Sequence, residues 1–107
     1  MGIQTAREKK QPGETLRYTM EYEPGVALAV GDSLTGTPTV KIYDRADDSD
    51  ETATMLEGTP TMQDNIVYFF VKGGVTDESY NVSIKSDTVN GEKDVEEDLI
   101  IFVKKLS

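Results

Sequence analysis

Alternation of apolar and polar residues is the feature that most constrains what this chain can fold into. Leu16, Tyr18, Met20 and Tyr22 interleave with Arg17, Thr19, Glu21 and Glu23, and Tyr80, Val82 and Ile84 interleave with Asn81, Ser83 and Lys85. Successive side chains of a strand point to opposite faces, so a period of two marks strands with one buried face. No window carries the helical period convincingly.

Further segments extend the pattern. Thr39 to Arg45 puts Val40 and Ile42 on one side and Lys41 and Tyr43 on the other, and Ser33-Leu34-Thr35 reads as a short strand of its own. The run Asn65 to Lys72 is the most apolar and predicts a central strand covered on both faces, stopped by Gly73-Gly74. Val26 to Val30 reads as a kinked continuation or a crossover, and Ala53 to Leu56 with Thr59 to Met62 as two weak strands or a strand and a turn. Asn90-Gly91 suits a type I′ hairpin, which needs positive φ at both central residues. It would join the strand of Tyr80 to a closing strand through Val95, Leu99, Ile101 and Val103.

About seven short strands with regular turn signals predict an all-β fold, a single immunoglobulin-like (fibronectin III-like) Greek-key β-sandwich, with a closed barrel as the lesser alternative. The absence of cysteine and tryptophan rules out the antibody-type version with its inter-sheet disulfide. Tyr80 opens the penultimate strand after a glycine-rich bend, where such sandwiches place a tyrosine whose hydroxyl pins the preceding corner. The plainer alternative is a half-buried strand aromatic.

A length of 107 residues suits one domain. Residues 1–14 mix charges with Gln, Pro and Gly and predict a flexible N-terminal arm, leaving residues 15–107 as the sandwich. With 20 acidic against 11 basic residues the net charge is -9, which argues against nucleic acid or an anionic membrane as partner. No stretch approaches the roughly 18 apolar residues of a spanning helix, and the first residues lack a signal-peptide core, so synthesis in the cytoplasm is expected.

Catalytic chemistry finds little to work with. Histidine and cysteine are both absent, removing the usual base, the usual nucleophile activator and the commonest zinc ligands. The glycines match no phosphate-binding spacing. The chain is therefore expected to be no enzyme and to use no cofactor. Asp44, Asp47, Asp48, Asp50 and Glu51 form the one oxygen-rich loop that could hold calcium, but Thr52 and Gly58 stand where the twelve-residue calcium loop needs Gly and Glu. A solvated rim is the better reading. Asn81-Val82-Ser83 matches a glycosylation sequon inside a strand and is read as coincidence.

The closing strand is more informative. Glu96-Glu97-Asp98 precedes it as a gatekeeper against edge pairing or as a docking patch. If Leu99, Ile101 and Val103 face the core, Ile100 and Phe102 point outward and offer a partner an apolar pair. A slipped register, or cover from Val26 to Val30, would bury that pair instead.

Four stretches together carry a family likeness: YTMEYEPGVALAVGDSLTG (18–36), TPTVKIYDR (37–45), NIVYFFVKGG (65–74) and YNVSIKSDTVNGEKDVEEDLIIFVKKL (80–106). In this order they resemble the phage fiber-tail adaptor family. The resemblance implies an immunoglobulin-like, non-enzymatic module of a phage or prophage tail. Such a module would contact other tail proteins and stand in several copies, as a homo-oligomer, in the virion. It supplies no catalytic residues. Glu78 and Ser79 precede Tyr80 where members often carry a nearby glycine, and the likeness is not traced into residues 1–14. The alternative is a glycan-binding or adhesion module of a bacterial surface protein, against which stand the missing tryptophan and secretion signal.

Overall fold

The alternating segments pair into two sheets that bury their apolar faces against each other. The computed structural model describes residues 6–22, 25 and 28–104. The elements in chain order are β1 (Ala6–Lys10), β2 (Leu16–Glu21), β3 (Leu34–Asp44), α1 (Thr52–Met55), β4 (Leu56–Gln63), β5 (Ile66–Val71), β6 (Ser79–Thr88) and β7 (Val95–Val103). One sheet has the order β1-β7-β6-β3 and the other β2-β5-β4. All pairs are antiparallel except β1 with β7. This is the immunoglobulin-like sandwich, with β2-β5-β4 and β3-β6-β7 in the places of its two facing sheets.

Burial follows the alternation. Tyr18, Tyr22, Val67, Phe69 and Val71 from the three-stranded side meet Ile42, Tyr80, Val82, Ile84, Leu99, Ile101 and Val103 from the other. Tyr18 and Phe69 stack with ring centroids 6.0 Å apart. Tyr22, just past β2, sends its hydroxyl across to Ile84 O at 2.7 Å and Val95 O at 2.9 Å, so a fully buried phenol still satisfies its polar end.

Four sequence expectations change. Residues 6–10 of the supposed arm are β1, in parallel register from Ala6 opposite Leu99 to Lys10 opposite Val103. What fixes them is polar and therefore invisible to hydropathy. Lys10 is 2 % exposed, and its ammonium donates to Gln11 O and Gly73 O, each at 2.7 Å. Leu34-Thr35 and Thr39 to Asp44 are not separate strands but parts of β3, with Ser33 and Arg45 just outside it. The register shifts between Thr35 and Thr39, where Gly36 has φ 78° and Pro38 cannot donate to the ladder. The weak region contains one helical turn, too short to show a period, followed by β4. β5 is central in its sheet but covered on one face only, and Phe70 on the other face is 45 % exposed.

The hairpin chemistry also differs from expectation. The two-residue turn with positive φ at both positions is Asp64-Asn65 (54° and 66°), joining β4 to β5 where Gln63 pairs with Ile66. That is the type I′ signature, carried by the two non-glycine residues that best tolerate left-handed backbone. At the predicted site only Gly91 is left-handed, with φ 98°. Thr88 N–H donates to Glu92 O at 2.9 Å and Gly91 N–H to Thr88 O at 3.0 Å, which closes a three-residue loop ending on glycine.

Between β5 and β6, the Tyr80 hydroxyl accepts the Val75 N–H at 3.0 Å, while its ring is 2 % exposed. A buried phenol thus holds the corner that leads into β6. Tyr80→Phe keeps the ring and removes that bond, so a loss of about 1 kcal/mol is expected in urea unfolding, with an unchanged m-value.

Candidate docking surfaces

The outer face of the four-stranded sheet carries the expected pair Ile100 and Phe102, opposite in direction to Leu99, Ile101 and Val103. It is less open than the sequence implies. Ile100 is 7 % exposed and Phe102 half-buried. The reason is β1, which turns β7 from an edge into an interior strand. In the ladder Ile100 stands opposite Arg7 of β1 and Asn81 of β6, and Phe102 opposite Lys9 and Ser79.

Beside Ile100 lies a shallow depression of about 410 Å³ lined by Tyr43, Asn81, Lys85, Glu96 and Asp98. Glu96 and Asp98 share this face, while Glu97 turns inward and is 6 % exposed, so it cannot guard an edge as expected. Desolvation against the sheet, then hydrogen bonding and repulsion from Glu96, push the Asp98 carboxyl up to about 6. Glu96 is held low by its bonds to Asp98 and to the Ser83 hydroxyl, 2.8 Å away.

The sign of the linkage follows. The folded state binds the Asp98 proton more tightly than the unfolded chain, whose ordinary value is 3.8. The stability contributed by this group is thus full below the unfolded value and lost as pH rises through about 6. Asp98→Asn is expected to raise the melting temperature at pH 7.5 but not near pH 4. The gain, discounted for solvent screening, is below about 1 kcal/mol. Melting curves across that range check it.

The acidic loop after β3 is organised by its own backbone. Asp44 Oδ1 accepts the Ala46 N–H at 2.8 Å, Asp47 Oδ1 the Ser49 N–H at 3.0 Å and Asp50 Oδ1 the Thr52 N–H at 2.9 Å. Glu51 takes the hydroxyls of Ser49 and Thr54 at 2.9 and 3.1 Å. Hydrogen bonds from Ser49 and Thr52 hold the carboxyls of Asp47 and Asp50 below the usual range. Asp48 occupies the turn itself, with φ 59°. Among the described residues no three such groups converge as a metal site would require. These carboxylates act as turn formers.

At the opposite end of the sandwich, three connections are tied together: Leu28–Ser33, Asp64-Asn65 and the loop from Val89 to Asp94. Asp32, 5 % exposed, accepts the Ser33 and Asn90 N–H groups on Oδ1 at 2.8 and 3.0 Å. Burial works against its charge, but hydrogen bonding, the Ser33 and Asn90 N–H groups included, outweighs it and keeps the carboxyl below its ordinary value. Val89 N–H donates to Ser33 O at 2.8 Å, and Asn65 Oδ1 accepts the Leu34 N–H at 2.9 Å. On this framework Val30 is 84 % and Val89 64 % exposed. Neither was singled out from sequence. The available signal was a valine just before Gly31-Asp32 and another just before Asn90-Gly91, at turn positions where a large apolar side chain finds little cover.

Two comparisons bear on identity. No curated protein matches the chain significantly. A family model described as podophage GP4 fiber-tail adaptor protein gp77 matches residues 10–101. The match runs from the last residue of β1 into β7, takes in residues 10–14, where the sequence likeness is not traced, and so spans both sheets, the acidic loop and the tied loop end. The chain belongs to this family of phage fiber-tail adaptors, structural proteins of the virion tail and not enzymes.

Proposed function

We propose that this protein is a non-enzymatic adaptor of a phage or prophage tail, joining neighbouring tail proteins through protein–protein contacts and standing in several copies per particle. The observation that carries this reading is the family match over residues 10–101. A sandwich with fixed loops suits the task, because rigid presentation avoids ordering cost when subunits assemble. The acidic surface of net charge -9 favours partners over self-aggregation and repels nucleic acid.

Mass spectrometry of purified particles tests the proposal. The chain should co-purify with the tail at a fixed ratio of several copies and appear in cross-links to other tail proteins. Absence from particles, together with saccharide binding on a glycan array, would replace it with the adhesion reading.

A further inference from the structure

We propose that the loop end built from Leu28–Ser33, Asp64-Asn65 and Val89–Asp94 docks into another tail protein, with Val30 and Val89 entering an apolar site rimmed by lysine and arginine. The inference rests on the adaptor reading above and names the surface that would do the joining.

The first ground is exposure. Four large apolar side chains among the described residues are strongly exposed, Val30, Phe70, Val75 and Val89, and two of them share this end. The others stand apart. Val75 lies at the opposite end, in the corner held by Tyr80. Phe70 lies on a sheet face whose neighbours engage one another: the Arg17 guanidinium sits 5.4 Å from the Tyr68 ring centroid, and Lys72 pairs with Glu57 at 2.7 Å.

The second ground is rigidity. Asp32 N–H closes the turn on Ala29 O at 3.0 Å and leaves Val30-Gly31 at its tip, where Gly31 has φ 85°. Asp32 Oδ1 and Ser33 O then fasten this turn to Asn90 and Val89. The two valines are therefore held on one frame, and a partner need not bear the cost of ordering separate loops.

The third ground is charge. Asp64, Glu92 and Asp94 stand on the connections that form this end and Asp87 near the end of β6 beside it, and among the described residues of these segments the one cation is Lys93, which lies 3.5 Å from Asp87. An acidic rim around an apolar tip complements a basic rim around an apolar pocket. A second copy of this chain, itself at -9, is the wrong partner on the same argument.

The test places a photo-crosslinking residue at Val30 or Val89 of the full chain, with Phe70 and Lys41 as controls, in particles of a phage carrying the gene. Val30 and Val89 should both cross-link to the same tail subunit, on peptides containing Lys or Arg, and the controls should not. Val30→Asp/Val89→Asp should melt within about 2 °C of the parent, since exposed positions contribute little to folding. Its incorporation into particles should fall at least tenfold. Should that variant misfold, the cross-linking positions decide alone. Cross-links to a second copy, cross-links at Phe70 or Lys41 alone, or undiminished incorporation of a folded variant would overturn the docking end while leaving the adaptor reading standing. Absence of the parent chain from particles would remove both.

Discussion

Phe69→Ala is expected to cost about 3–5 kcal/mol, a large share of the stability of a domain this size. Phe69 is 1 % exposed in the central strand of its sheet, directly opposite Tyr18 in register and stacked on it at 6.0 Å. Truncation leaves a void between two sheets whose backbone ladders keep them from collapsing into it, so the cavity penalty adds to the lost transfer energy. Phe70→Ala is the control. The neighbouring ring is 45 % exposed and points away from the core, so a loss below about 1 kcal/mol is expected. Urea unfolding of the pair separates the two faces of β5, and near-equal losses would contradict the assigned register.

Gly74→Ala is expected to cost about 2–4 kcal/mol, combining backbone strain with overpacking. Gly74 has φ 99°, and a Cβ there would sit 2.7 Å from Val103 Cγ2 and 3.2 Å from Met55 Cε. Met55 can yield, but Val103 is a fully buried residue in an interior strand and cannot. Gly73→Ala makes the comparison. Its φ of 66° is also left-handed, yet a Cβ would meet nothing within 4 Å, so only the conformational cost of about 1–2 kcal/mol applies. Thermal melts of the two variants measure the difference, which is the contribution of packing together with the less accessible φ at Gly74.

Which parts of the fold could be read from sequence depended on where water reaches. β2 and β6 each have one polar face, so alternation in Leu16 to Tyr22 and Tyr80 to Lys85 marked both the strands and their core sides. β5 is apolar on both faces, and composition could not tell that Ile66, Tyr68 and Phe70 form the outer row. β1 left no hydropathy trace because its ties are backbone pairing, the Lys10 ammonium and the Tyr18 hydroxyl on Lys9 O at 3.2 Å. That omission misled the reading of the candidate site as well. Without β1, Ile100 and Phe102 looked exposed, whereas with it Ile100 is covered. The loop end was harder still, since Asp32 meets Asn90 across 58 residues of sequence and no local pattern announces a carboxylate that joins two loops.

The central claim is that this chain physically joins parts of a phage tail, and removing the gene from a phage that carries it tests that most directly. Electron microscopy of the resulting particles should show filled heads with tails lacking fibers, and supplying the chain in trans should restore them. Particles with a full set of fibers in its absence would contradict the claim.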